Sequence, residues 1–185
     1  EIQSHSKNKP DIFIWKKHNL KKLAKYKYNN FFFLLMNVEA LSRSSGVKFL
    51  KDHLLKRGSE SMVIIDESTT IKNKGASRTK SLVALGLMAK YRRILTGSPV
   101  TKSPLDLYTQ CEFLHKSLLG FKSYYSFRNR YAVMHEIYTN QHTVKIPVKY
   151  INLEELEHKL KQFSYRSTKN EGLDLPPKLH TKRII

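Results

Sequence analysis

Asp66 and Glu67 are adjacent carboxylates that directly follow the apolar run Met62-Val63-Ile64-Ile65. An acid placed there can hold the hydrated magnesium of a nucleoside triphosphate, and its neighbour can orient or deprotonate the attacking water. Further along, Arg93-Ile94-Leu95 runs into Thr96-Gly97-Ser98-Pro99. The pattern therefore repeats, with polar chemistry set directly after a short aliphatic run. The first site also fits a plain core strand leading into a helix, with Asp66 or Ser68 as N-cap. For the second, a loop that merely caps the following helix remains open.

The element that must carry such a pair is a strand buried on both faces. Open parallel sheets place their ligands beyond the carboxyl ends of such strands. The surrounding sequence supplies the rest of an α/β layer arrangement. Strands are expected at Ile12 to Trp15, Phe31 to Met36 and Arg93 to Thr96. A helix is expected from Val47 to Arg57, with Val47, Leu50, Leu54 and Leu55 on one face and Gly58 as its stop. Another runs from Ser77 to Ala89 and carries Leu82, Leu85 and Met88. Alternating strands and helices predict a parallel sheet flanked by helices. Beyond Pro104, helices are expected at Leu105 to Leu114 and Tyr124 to Tyr131. A hairpin follows over 132–151, with Pro147 at an edge. Asn152 is expected to cap a last helix through Leu153, Leu156, Leu160 and Phe163. Pro176-Pro177 marks a connector.

Val63-Ile64-Ile65-Asp66-Glu67-Ser68 with Ile71-Lys72-Asn73, Arg78-Thr79-Lys80, and Leu95-Thr96-Gly97-Ser98-Pro99-Val100 with Leu105-Asp106-Leu107-Tyr108 resemble motifs II and III of Swi/Snf-type superfamily two helicase-like ATPases. Leu35-Met36-Asn37-Val38-Glu39-Ala40-Leu41-Ser42 looks like the segment that contacts the DNA backbone in that family. Phe127-Arg128-Asn129-Arg130-Tyr131-Ala132, Arg166 to Glu171 and Leu175-Pro176-Pro177-Lys178 are similar to the stretch leading into the second motor lobe, especially in phage and bacterial members. The likeness runs over residues 31–183. It departs at Thr69, where many relatives carry His or another residue.

The resemblance implies a RecA-like first lobe of an ATP-dependent DNA helicase or double-stranded DNA translocase, with ATP and Mg2+ as cofactors. Asp66 is then the magnesium residue and Glu67 activates water. Thr96, Gly97 and Ser98 couple hydrolysis to movement. Asn37, Glu39 and Ser42 grip DNA. The expected organisation is residues 1–118 as the C-terminal part of that lobe, 119–170 as a mostly helical protrusion and 171–185 as a connector toward a second lobe of the same polypeptide. None of the seven glycines is followed by Lys, so no Gly-x-x-x-x-Gly-Lys-Ser/Thr phosphate loop is present. That loop is expected upstream of residue 1, and the arginine fingers beyond the other end. The chain by itself is expected to be inactive.

Composition supports a polyanionic partner. Of 185 residues, 34 are Lys or Arg and 15 are acids, a net charge of +19. Such an excess favours partners that release condensed counterions on binding, and its spread along the chain suits backbone tracking more than base reading. Lys72, Lys74 and Arg78 directly follow the presumed metal strand and are expected to hold DNA phosphates. The early lysines, interleaved with Trp15, Tyr26 and Tyr28, fit either a solvated surface or a single-strand platform. One cysteine, Cys111, excludes an internal disulfide and is expected to be a core thiol in a reducing, cytoplasmic setting, the host cytoplasm for a viral protein. The eight histidines include no pair at metal-ligand spacing. Gly97-Ser98-Pro99 lacks the second glycine of a nucleophile elbow. No apolar run reaches the length of a membrane span. Two rival classes stay open: a basic DNA-binding or assembly module that kept the fold without turnover, and a magnesium nuclease using the same acids.

Overall fold

The computed structural model describes residues 10–16, 31–138 and 143–167. Compactness divides the chain into Glu1–Arg130 and Tyr131–Ile185.

In the first unit, strands β1 (Asp11–Ile14) and β2 (Phe32–Leu35) pair in parallel, with Ile12 opposite Phe33. The Trp15 N–H extends this ladder to the Leu35 carbonyl at 2.8 Å. A short 3-10 turn at Val38–Ser42 leads into helix α1 (Ser44–Arg57). Strand β3 (Met62–Ile65), helix α2 (Ser77–Gly86), strand β4 (Tyr91–Ile94) and helix α3 (Leu107–Leu114) follow. β3 and β4 are parallel, with Ile65 opposite Ile94. The parallel strands thus form two separate pairs among the described residues rather than one continuous sheet.

One core is shared by α1, β3, α2, β4, α3 and the turns beside them. Leu41, Leu54, Ile65, Ile71, Leu82, Leu85, Ala89 and Phe113 are buried together, with Val63 and Ile94 packed against them. Only one side of β3 enters that core. Met62 and Ile64, on its other side, are 50% and 51% exposed, so β3 is not buried on both faces as expected. The reason is geometric: side chains alternate along a strand, and the core helices lie against one face of the pair. Leu55 likewise points outward at 65% exposure while Leu54 beside it is buried, because α1 presents a narrower apolar stripe than its sequence offers.

Packing sets two local choices. A Cβ on Gly86 would sit 2.5 Å from the Phe113 ring, so α2 admits that ring only where it carries no side chain. Helix α2 ends there, short of the expected Ala89. β4 spans Tyr91–Ile94, earlier than the expected Arg93 to Thr96. Its half-buried Arg92 reaches across the helix ends. Nε donates to the Leu114 carbonyl at 2.7 Å, and Nη1 to the carbonyls of Gly86 at 3.1 Å and Ala89 at 3.4 Å. One cation thereby serves the carboxyl ends of both α2 and α3, where the helix dipoles favour positive charge.

Helix α4 (Tyr124–Tyr131) is placed as its sequence predicts, and Phe127 is wholly buried against Tyr108 and Phe121. The second unit holds an antiparallel hairpin of β5 (Ala132–Tyr138) and β6 (Thr143–Tyr150), with a register irregularity at Val133/Met134. Pro147 lies opposite Met134 in this ribbon, which is two-stranded among the described residues. Helix α5 (Leu153–Lys161) follows. Asn152 precedes it in a left-handed conformation, φ 55°, and its side chain makes no capping bond, unlike the expectation. Its carbonyl instead accepts from the Leu156 N–H at 3.2 Å. Tyr131 donates its hydroxyl to Glu155 at 2.9 Å. The expected connector, with Pro176-Pro177, lies outside the described residues, as do Tyr26 and Tyr28.

Candidate functional site

The β3–β4 ladder continues past its strands and determines where the polar residues emerge. The Leu95 N–H donates to the Ile65 carbonyl at 2.8 Å, and the Ser68 N–H to the Leu95 carbonyl at 3.0 Å. Because the strands run parallel, Asp66-Glu67 and Thr96-Gly97-Ser98 leave the same end of the pair. Both acids are exposed there. The Glu67 N–H donates to Asp66 Oδ1 at 3.0 Å. Glu67 itself has φ 51° and ψ 63°, the left-handed region, which costs a non-glycine residue about 1 kcal/mol or more and persists only where neighbours enforce it.

Those neighbours are visible one residue on. Ser68 is wholly buried, and its hydroxyl donates to Gln110 Oε1 at 2.6 Å. Gln110, also wholly buried, donates from Nε2 to the carbonyls of Pro99 at 2.8 Å and Asp106 at 2.9 Å. A second set of bonds joins the same two loops. Lys72 Nζ donates to the Thr101 hydroxyl, which donates to Asp106 Oδ2 at 2.9 Å. Thr109 donates its hydroxyl to the carbonyls of Ile71 at 2.6 Å and Lys72 at 2.9 Å. Burial alone would push the Asp106 carboxyl up. Bonds from the N–H groups of Lys102, Thr101 and Ser103 and from the Thr101 hydroxyl outweigh it and hold the group below its ordinary value.

In the loop after β4, the Ser98 N–H donates to Thr96 Oγ1 at 3.2 Å, and its hydroxyl to the Val100 carbonyl at 3.0 Å. Gly97 stands in open space, where an added Cβ would meet nothing within 4 Å. The cations expected to grip phosphates each have a partner within the chain. Besides Lys72 on Thr101, Lys74 Nζ lies 4.1 Å from the Tyr124 ring centre and 4.2 Å from that of Tyr125. Arg78 Nε donates to the Thr70 carbonyl at 3.2 Å. At the end of β2, Asn37 Oδ1 accepts from the Glu39 N–H at 2.9 Å and caps the turn. Asn37, Glu39 and Ser42 are exposed, and α2 packs against this turn. Cys111 is a buried thiol whose pKa is pushed up to about 12, first by desolvation and then by the Glu112 charge.

Gln110 and Arg92 were not among the residues singled out from sequence. A signal for Gln110 does exist: it is an uncharged polar residue at helical spacing between Leu107 and Leu114, on the apolar face of α3. Among the described residues no group of three or more His, Cys, Asp or Glu side chains could hold a metal ion. The acids present suit a magnesium ion that keeps most of its waters and shares phosphate oxygens, which needs only one or two carboxylates. The residues for a phosphate cradle are not in this sequence.

Paired acids and a hydroxyl loop at one end of a parallel pair, backed by helices on the other face, define an α/β lobe of the RecA-like type. A model of the SNF2-related domain matches residues 1–185, and the chain belongs to that family. It is 32% identical over 122 residues to the DNA annealing helicase and endonuclease ZRANB3 of Bos taurus, covering 65% of this chain and 11% of that protein. Likeness to Protein CHROMATIN REMODELING 20 of Arabidopsis thaliana is 31% over 166 residues, covering 84% of this chain and 11% of that one. The DNA repair protein RAD5 of Candida glabrata is 36% identical over 78 residues, 42% of this chain and 6% of its own length. The chain thus spans a small part of each of these relatives. Among solved structures, the SWI2/SNF2 ATPase core of Sulfolobus solfataricus in complex with dsDNA superposes with a TM-score of 0.61 at 24% identity, covering 88% of this chain and 29% of that one. This likeness carries the RecA-like fold.

Proposed function

We propose that the chain is part of the first motor lobe of an ATP-dependent double-stranded DNA translocase or helicase. The observation that supports this most is the shared strand end, where the β3–β4 ladder brings Asp66-Glu67 and Thr96-Gly97-Ser98 to one edge. In this reading Asp66 holds a magnesium ion through its waters, and Glu67 accepts a proton from the attacking water. The metal, when bound with ATP, neutralises charge on the phosphates. The hydroxyls of Thr96 and Ser98 sense the nucleotide and pass its state on. Asn37, Glu39, Ser42, Lys72, Lys74 and Arg78 meet the DNA backbone. Residues 119–170 form a protrusion, and 171–185 connect to a second lobe of the same polypeptide. Alternating closure of two lobes would then step the protein along duplex DNA.

The test is the full-length polypeptide with Glu67→Gln. DNA-stimulated ATP hydrolysis is expected to disappear while duplex binding persists. Unchanged turnover would remove Glu67 from its role. A basic DNA-binding module without turnover is favoured by one observation, the net charge of +19. It predicts DNA binding with no ATP hydrolysis in the unmodified full-length protein.

A further inference from the structure

Gln110 is a wholly buried amide whose donors and acceptor are all used, and its partners lie on both loops of the site. Carbonyl oxygens only accept, so Nε2 must face Pro99 and Asp106 and Oε1 must face Ser68. The Ser68 hydroxyl is therefore the donor. Ser68 follows Glu67 directly, and its backbone N–H is fixed to the Leu95 carbonyl at 3.0 Å. The peptide after Glu67 is thus held through its backbone by Leu95, just past β4, and through the Ser68 side chain by α3. On the other side, the Glu67 N–H is held by Asp66 Oδ1. With the Thr70 N–H on the Glu67 carbonyl at 3.0 Å, these bonds bracket Glu67 at φ 51°, an unfavourable backbone conformation that releases when neighbours let go.

We infer that Gln110 is a positioning residue: it holds Glu67 in the left-handed conformation and makes that conformation depend on the loop after β4. The dependence follows from the bond to Pro99. A shift of the 96–100 loop pulls on Nε2, the amide turns, and Ser68 loses its acceptor. The inference rests on Glu67 as the residue that activates water, and it adds a control element on α3. Cys111, next to Gln110, plays no part, since its thiol faces the core.

The experiment uses the full-length protein with ATP, magnesium and duplex DNA, and compares Ser68→Ala, Gln110→Leu and the double variant. Each single variant is expected to lower DNA-stimulated kcat by about tenfold, the scale of a coupling between two sites, with the KM for ATP moved less than about twofold. The double variant is expected to be no slower than the worse single one, because both remove the same link. Ser68→Ala deletes one oxygen atom, and so the test survives if Gln110→Leu fails to fold. Wild-type kcat in Ser68→Ala, losses that multiply in the double variant, or a raised KM at unchanged kcat would each overturn the inference. If Glu67→Gln is dead while Ser68→Ala turns over normally, the positioning role alone fails. If Glu67→Gln retains full turnover, the reading beneath it fails as well.

Discussion

Replacing Arg92 with Leu is expected to loosen α2 and α3 together. The guanidinium makes two well-formed bonds, to the carbonyls of Leu114 at 2.7 Å and Gly86 at 3.1 Å, and a longer one to Ala89 at 3.4 Å. A hydrogen bond to a charged group contributes roughly 1.5–3 kcal/mol where water is excluded. Arg92 is half-buried, so about half of that for each of the two good bonds is appropriate, with the long one neglected. The total is about 1.5–3 kcal/mol. Arg92→Lys keeps the charge but cannot span both helix ends, and about 1 kcal/mol should return with it. The assay is native-state hydrogen exchange in the full-length protein. Amides of α2 and α3 should exchange about 10- to 150-fold faster in Arg92→Leu, since 1.4 kcal/mol is tenfold. Exposed Arg93, which bonds to the Arg92 carbonyl at 2.9 Å, is the control, and its replacement should change exchange by less than about threefold. Changes that small in Arg92→Leu would refute the joint cap.

Changing Lys72, Lys74 and Arg78 to Ala should weaken duplex binding and reduce the slope of log affinity against log salt by up to about 2.7, near 0.9 for each phosphate no longer neutralised. An unaltered slope would make their bonds to Thr101, the tyrosine rings and Thr70 purely structural. His53 packs between Phe32 and Phe49, and burial, then the charges of Arg57 and Lys56, hold its pKa below the ordinary 6.5. The unfolded chain therefore takes up the proton first, and stability present above that ordinary value is lost as pH falls through it. Urea midpoints should drop between about pH 7 and about pH 5.5, and His53→Leu should flatten the drop; an identical pH slope in that variant would refute the assignment.

The elements of the first unit were legible because their apolar residues recur at strand and helix spacing, and the aliphatic runs before Asp66 and Thr96 showed which strand ends carry polar chemistry. Their edges were less legible. β4 closes at Ile94 because pairing with β3 stops being a regular ladder there, although Leu95 still bonds to Ile65. Burial on both faces of β3 was overread, since a run of Val and Ile does not say how many layers surround it. Leu55 looked like core for the same reason: spacing admits it to the apolar stripe, and the width of the helix's buried face excludes it. The bonds that organise the site were hidden because they are long-range. Ser68 and Gln110 are 42 positions apart and Thr109 lies 38 from Ile71, and no local pattern links such pairs. Asn152 had the right residue type for a cap but adopts a backbone that turns its side chain away from that task.

The hairpin of the second unit carries Val133, Ile137, Val144, Ile146 and Val148 at 38–59% exposure, and among the described residues no third strand pairs with the ribbon. A ribbon of that kind is a template onto which foreign strands can add. Pro147 contributes no N–H, and the slipped register at Val133/Met134 bends the line of donors and acceptors. Both features disfavour the addition of a further strand, so Pro147→Val is expected to speed aggregation, read by light scattering.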